Sequence, residues 1–329
     1  MLDPETTLDT VGKASEAATK FQEIMLKVFG PRWTKKQADA DAYADQRKLQ
    51  TIRDNPDMEI VYTTGGMNAR ARTPEAIAYR AEMRMLNDVV REQENIESVF
   101  EAAASEVEQI TESNEKTVED DWIVRFTSIV KDISDKDMQR VWAKILAGEI
   151  EKPGRFSLRT LDVIRNLSQV EATTFQKIAP YVIRTADDHF ITNESSMYEK
   201  YGITFGDLIL LDECGLLSSA GLVSMTRTIA GEQGLIAHTK EQILLLDKAH
   251  SFPVKVSFGI HSLTNAGKEL FQILDTTPNE EYFLDFTKHI FKENSNCTLS
   301  IHKVNAILGE RINYSKNALQ TFDAKEESH

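Results

Sequence analysis

The sequence contains 329 residues, of which 41% are apolar and 27% are charged, and this composition is ordinary for a globular protein. No uninterrupted apolar run is longer than four residues, so we expect no transmembrane helix, which needs about 20. The N-terminal residues have no signal-peptide pattern, and Cys214 and Cys297 lack pairing or metal-ligand spacing. We therefore expect a cytoplasmic protein with two or three domains.

The net charge of -14 is concentrated in one part of the chain. Residues 73–121 carry 4 basic and 14 acidic side chains, a net charge of -10, whereas residues 122–167 carry 9 basic and 6 acidic ones, a net charge of +3. A surface this acidic repels the phosphates of nucleic acids. Nucleic acid could therefore bind only at the positive segment, residues 122–167. We do not favour nucleic-acid binding as the function.

An amphipathic helix is predicted for residues 7–29, because apolar residues recur there with helical spacing and Gly30-Pro31 ends the pattern. Lysine and arginine flank the apolar face, as they do in helices that lie on membrane surfaces. Two interpretations stay open, which are packing in a protein core or interface and contact with a membrane. The residues concerned are Phe21, Ile24, Met25, Val28, Phe29 and Trp33.

A second helix is predicted for about residues 74–112, after Thr73 as N-cap and Pro74 at the first helical position. Its apolar residues follow the heptad spacing of a coiled-coil seam, with one polar position at Gln93. The seam either packs inside the chain or joins chains into an oligomer. Acidic flanks disfavour a parallel pair of identical helices. The seam residues are Leu86, Val89, Ile96, Phe100, Ala103, Val107 and Ile110.

Residues 116–190 are predicted to form a central helical core with a sharp hinge at residues 146–161. Ser157 is placed to cap the helix after the hinge, and basic residues near that helix start could hold a phosphate or carboxylate. The alternative is that Arg159 pairs with Glu149 and fastens the hinge. The candidate anion site consists of Lys152, Arg155, Ser157 and Arg159.

Residues 191–275 follow an order of helix, strands and helix that is typical of winged-helix domains. The first of these helices, near residues 204–217, has three acidic residues and no basic ones, which disfavours DNA binding. The segment Leu208 to Glu213 matches the pattern of a Walker B strand, but the sequence has no phosphate-binding loop motif, so ATP hydrolysis is not expected. Residues 276–320 are predicted to be helical and residues 321–329 disordered.

The most distinctive motif runs from Trp142 to Leu161 and reads WAKILAGEIEKPGRFSLRTL. On this motif the chain resembles an uncharacterised bacterial family that is known only as a domain of unknown function. The segments Arg91 to Ile96, Tyr201 to Thr204 and Leu263 to Gly267 also fit, so the resemblance extends over about residues 75–320. The family implies no activity, cofactor or catalytic residue.

A weaker resemblance concerns the N-terminus. Phe29-Gly30-Pro31 and the residues that follow are similar to abortive-infection proteins of the alpha type. Those proteins are linked to bacterial defence against phage, and the resemblance therefore implies a role of that kind.

Together these patterns predict a mainly α-helical protein. We expect a long helical arm in residues 1–115, the central helical bundle, and a C-terminal winged-helix-like α+β domain. No catalytic residue, metal ligand or cofactor can be assigned, since the seven histidines have no metal-ligand spacing. The predicted function is a non-enzymatic protein of phage defence that assembles with itself or binds another protein. The alternatives are a membrane-acting effector that uses the N-terminal helix and a nucleic-acid-binding regulator.

Overall fold

The computed structural model describes residues 4–29, 62–63, 66–67, 74–108, 110, 116–186, 188–231, 233–249, 252–309 and 311–324. The chain divides into two compact units, Met1–Leu158 and Arg159–His329. The division falls inside the central core predicted for residues 116–190. Each unit is therefore described by itself.

The first unit is helical in most of its described residues. Its packing brings four aromatic rings together, because Phe100 contacts the rings of Phe21, Phe29 and Phe126 at centroid distances of 6.2, 5.1 and 6.2 Å. Trp142 lies against Phe126 at 5.7 Å and completes this core. The elements are α1 (Pro4–Phe29), the short hairpin of β1 (Tyr62–Thr63) and β2 (Gly66–Met67), α2 (Pro74–Val107), α3 (Asp120–Val130) and α4 (Lys136–Glu151).

Buried polar side chains fix the contact between α2 and the turn before α4. The amide of Asn95 donates to the carbonyl oxygen of Lys131 at 2.8 Å, and the amide of Gln139 donates to that of Ile133 at 2.7 Å. Asp135 is the N-cap of α4 and accepts from the backbone N–H of Asp137 and Met138. Because these buried groups have partners, they specify one arrangement of the two helices at little cost.

Two buried tryptophans of this core, Trp122 and Trp142, differ in the hydrogen bonding of their indole N–H groups. The indole N–H of Trp122 donates to the carbonyl oxygen of Phe156 at 2.8 Å, whereas that of the fully buried Trp142 has no hydrogen-bond partner among the described residues. We expect Trp122→Phe to lower the free energy of unfolding by about 2 kcal/mol more than Trp142→Phe, because only the first change leaves a buried carbonyl unsatisfied. Urea unfolding followed by circular dichroism measures the difference. An equal or larger loss in Trp142→Phe would contradict the assignment.

The second unit combines six helices and a 3-10 turn with eight strands, counted over its described residues. The helices are α5 (Leu158–Arg165), which starts at the last residue of the first unit, α6 (Gln169–Ile178), α7 (Ser195–Lys200), α8 (Phe205–Glu213), α9 (Asn265–Phe271) and α10 (Glu280–Glu293). The strands are β3 (Ile183–Arg184), β4 (His189–Thr192), β5 (Leu217–Ile229), β6 (Gly234–His238), β7 (Gln242–Ala249), β8 (Val254–Leu263), β9 (Cys297–Leu308) and β10 (Arg311–Phe322).

These strands form one antiparallel sheet in the order β10-β9-β7-β6-β3-β4-β8-β5. The prediction of a mainly α-helical protein is therefore wrong, and the chain has an α+β fold. Within residues 276–320, predicted to be helical, only α10 is a helix, while β9 and β10 form a long hairpin that pairs with β7. The described residues 321 and 322, predicted to be disordered, belong to β10.

The winged-helix-like prediction for residues 191–275 also needs correction. The predicted helices and strands exist as α8, β5, β8 and α9, but β8 pairs with β4 as well as with β5 and continues into the eight-stranded sheet. In a winged-helix domain the sheet is small and lies within the domain. Here the sheet also contains strands that lie outside residues 191–275. The physical reason for the error is that the local order of elements does not reveal pairing with distant strands.

One part of the sheet packs on α10 through aromatic side chains. Phe190 on β4 and Phe258 on β8 lie 5.3 Å apart, and both contact Phe286 on α10, at 5.9 and 5.3 Å. The hydroxyl of Tyr282, also on α10, accepts the backbone N–H of Thr192 at 3.1 Å. Burial of these large rings accounts for much of the hydrophobic stabilisation of this unit.

Candidate functional site

The first unit exposes an apolar stripe on the N-terminal half of α2. We define the α2 stripe as Ile77, Ala81, Met85 and Val89, which recur every four residues and therefore share one side of the helix. The side chains of Ile77, Met85 and Val89 are 52, 65 and 63% exposed. Scattered exposed apolar residues are normal, but a contiguous stripe of them marks an interaction surface.

The predicted seam on this helix divides into two parts. Phe100, Ala103 and Val107 are buried inside the unit, which agrees with the internal interpretation for the C-terminal half of the helix. Val89 is exposed, so the N-terminal half is open. The other seam residues, Leu86, Ile96 and Ile110, are half-buried.

Ile77 and Met85 are not among the seam residues predicted from the sequence, because the predicted heptad starts at Leu86. The signal was present as the four-residue spacing from Ile77 to Val89. This spacing drifts around the helix relative to a heptad, so the two patterns have only Val89 in common.

The candidate membrane face of α1 is occupied by protein contacts. Ile24 and Met25 are buried, Val28 is half-buried, and the rings of Phe21 and Phe29 contact Phe100 of α2. Trp33 lies outside the described residues. For these residues the packing agrees with the interpretation of a protein core. No helix in the described part of the chain is long and apolar enough to cross a bilayer.

The candidate anion residues are distributed over both units. Lys152, Arg155 and Ser157 belong to the first unit and Arg159 to the second. Arg155 forms an ion pair with Glu151, and the guanidinium and carboxylate groups lie 2.6 Å apart. The other three residues are exposed.

The hinge itself is held by a buried carboxylate. Glu149 is 2% exposed and accepts the backbone N–H groups of Gly154 and Phe156 at 2.5 and 2.9 Å. Two backbone donors of the turn are thereby satisfied by the side chain of the preceding helix. The distinctive motif of the chain therefore performs a structural task at this position.

The segment that matched a Walker B strand lies in helix α8. Leu208 and Leu211 of this helix are buried, whereas Phe205 and Ile209 are 60 and 41% exposed. The acidic residues around them disfavour contact with a nucleic-acid backbone. Among the described residues, no group of three or more His, Cys, Asp or Glu side chains is arranged to hold a metal ion.

A family model matches residues 79–287, from the first turns of α2 to α10. The chain belongs to the family described as "Protein of unknown function (DUF2806)". The match includes the Trp142 to Leu161 motif and parts of both units, while α1 and the β9–β10 hairpin lie outside it. Comparison with curated proteins and with solved structures finds no match.

Proposed function

We propose that this protein is a non-enzymatic cytoplasmic binding protein that assembles with itself through the α2 stripe. The observation that supports the proposal is the exposure of Ile77, Met85 and Val89 on one side of a long helix whose other half is buried. Exposure of three large apolar side chains to water is unfavourable. A partner surface that covers these side chains excludes the water and stabilises the complex.

A second copy of the chain fits this surface in an antiparallel orientation. When two copies cross at Met85, the two Met85 side chains meet and Ala81 of each lies opposite Val89 of the other, while Ile77 lies opposite Gln93. Arg80 and Arg84 precede Asp88 on one flank of the stripe. An antiparallel copy therefore brings Arg84 towards Asp88 of its partner, whereas a parallel copy places like charges together. Such an interface is symmetric and closes as a dimer.

The exposed area predicts a weak dimer. In this register Met85 and Val89 of each copy meet apolar side chains, and burying these four mostly exposed side chains contributes on the order of 5 kcal/mol. Most of this gain is offset by the loss of translational and rotational freedom on association. The dimer is thus expected to dissociate in the micromolar range or above.

Light scattering across a concentration series tests the proposal. We expect the mass of the full chain to rise from monomer to dimer with concentration, and Met85→Glu to remain monomeric because a buried unpaired carboxylate opposes association. Val124→Glu is the matched control, since Val124 of α3 is 68% exposed and lies outside the stripe. A monomer at all concentrations, or an unchanged mass in Met85→Glu, would refute self-assembly through this surface.

Phage defence is the biological setting that we propose for this assembly, on the strength of the N-terminal resemblance to abortive-infection proteins. Cells that express the chain should reduce phage plating efficiency, and Met85→Glu should remove the reduction while Val124→Glu retains it. An effect that Met85→Glu leaves intact would separate defence from self-assembly.

A further inference from the structure

A row of basic and imidazole side chains crosses three adjacent strands of the second unit. We define the basic row as His238 on β6, Arg184 on β3 and His189 on β4. Arg184 lies directly opposite His238 on one side and His189 on the other. Residues directly opposite each other in antiparallel strands project from the same face of a sheet. Since neighbouring strands are about 4.8 Å apart, the row is about 10 Å long.

Arg184 is held in position by an aromatic ring, and no acid among the described residues pairs with it. Its guanidinium carbon lies 5.0 Å from the centre of the Phe271 ring on α9, and the His189 ring meets the same ring at 5.9 Å. The side chain is half-buried and forms no ion pair or hydrogen bond with any residue that the structure describes. Stacking orients the planar guanidinium and leaves the N–H groups at its edge available.

Asp188, a described acid beside the row, is already engaged. The carboxylate of Asp188 accepts the Ser262 hydroxyl at 2.6 Å and the backbone N–H of His189 at 2.8 Å, and it lies 2.7 Å from the ammonium group of Lys268. Lys240, two residues after β6, forms no ion pair within the described part of the chain. The positive charges of Arg184 and Lys240 are therefore not balanced at short range.

The electrostatics of the row agree with an excess of positive charge. Burial, and then the charges of Arg184 and Lys268, lowers the pKa of His189 to about 4, although Asp188 opposes the shift. Burial and the charge of Arg184 also lower the pKa of Lys240 against the attraction of Asp275. Burial lowers the pKa of His238 although its Nδ1 atom bonds to the carbonyl oxygen of Thr239. In a chain with a net charge of -14, this positive region is an exception.

We infer that the basic row, together with Lys240, binds the phosphate group of a small molecule. The edge of a guanidinium presents parallel N–H donors that match two oxygens of a phosphate, and a lysine adds a point charge. Each imidazole adds a donor when it takes up a proton beside the anion. The bound anion supplies the negative charge that the described protein groups do not.

An open groove beside the row indicates where the remainder of such a molecule lies. Ile243 on β7 is directly opposite His238, and it lines a groove of about 260 Å³ together with Leu245 of β7 and Tyr314 of β10. Apolar walls next to an oxyanion site suit an organic phosphate such as a nucleotide. Inorganic polyphosphate shares the phosphate chemistry but makes no use of the groove.

Titration calorimetry with pyrophosphate and with adenosine triphosphate, in a phosphate-free buffer, tests the inference. We expect Arg184→Gln to weaken the binding of both compounds by about tenfold or more, because charge-assisted hydrogen bonds are lost. Lys240→Gln should weaken both by a smaller factor. Arg159→Gln is the matched control, as Arg159 is an exposed arginine of the earlier candidate anion site. Thermal unfolding without added anion checks that each variant is folded.

The outcomes separate the alternatives. If Tyr314→Ala weakens the binding of adenosine triphosphate only, the ligand is an organic phosphate that occupies the groove, and if it affects neither compound the row recognises the phosphate alone. Both results support the basic row. Absence of binding by the folded wild-type chain, equal affinity in folded Arg184→Gln, or loss of binding in Arg159→Gln instead would overturn the inference.

Discussion

Replacing Glu149 with alanine is expected to lower the free energy of unfolding of the first unit by about 4 kcal/mol. The side chain is 2% exposed, and its carboxylate accepts two backbone N–H groups of the hinge turn, those of Gly154 and Phe156. Alanine removes both charge-assisted hydrogen bonds and leaves the buried N–H group of Phe156 without this partner. It also leaves a cavity where the side chain was.

The tryptophans provide the measurement. All three tryptophans of the chain, Trp33, Trp122 and Trp142, lie in residues 1–158, so their fluorescence during urea unfolding reports the first unit. Glu149→Gln retains the shape and one acceptor oxygen and should lose about half as much stability as alanine. Glu151→Ala is the control, because Glu151 is 44% exposed and its pair with Arg155 contributes less than about 1 kcal/mol. Equal losses in Glu149→Ala and Glu151→Ala would contradict the structural role of the motif.

The helices were predictable because their signals are local. Ser168 and Glu171 form a capping box in which both side-chain bonds are present, and Asn279 is the N-cap of α10. These interactions join residues that are three positions apart. Tertiary packing therefore had little opportunity to override them.

The sheet was not predictable from the same signals. In β9, Ser300 and His302 occupy buried positions, where their side chains bond to each other at 2.8 Å and His302 also bonds to the carbonyl oxygen of Ser315. Polar residues at inward positions remove the alternation of apolar and polar residues that identifies a strand. One of its two partner strands, β7, is far away in the sequence, so no local pattern shows that pairing.

The α2 stripe and the basic row also differ in how far they could be predicted from the sequence. The α2 stripe follows one helical period, so its spacing could be recognised from Ile77 onwards in the sequence. The basic row depends on strand pairing that brings Arg184 next to His238, more than fifty residues later in the chain. No spacing rule links these positions, and only the sheet register brings them together.

Gly267→Ala is expected to lower the free energy of unfolding of the second unit by about 3 kcal/mol. A Cβ atom at this position of α9 would overlap the carbonyl oxygen of Leu216, which already accepts the backbone N–H of Thr264 at 3.1 Å. The Thr264 hydroxyl also donates to the carbonyl oxygen of Gly215 at 2.6 Å. These bonds fix the turn after α8, so neither backbone can move aside without losing them.

Gly206→Ala in α8 is the matched control with the opposite sign. A Cβ atom there makes only an ordinary contact, at 3.6 Å from the Thr204 hydroxyl oxygen, and alanine favours a helix over glycine by up to about 1 kcal/mol. Cys297 of β9 is fully buried, so its reaction with a thiol reagent in a Cys214→Ser background reports unfolding of the second unit. Gly267→Ala should expose Cys297 at lower urea concentration than the parent, and Gly206→Ala at the same or higher concentration. If the two glycine variants shift the transition alike, the close approach of α9 to Leu216 does not stabilise the fold.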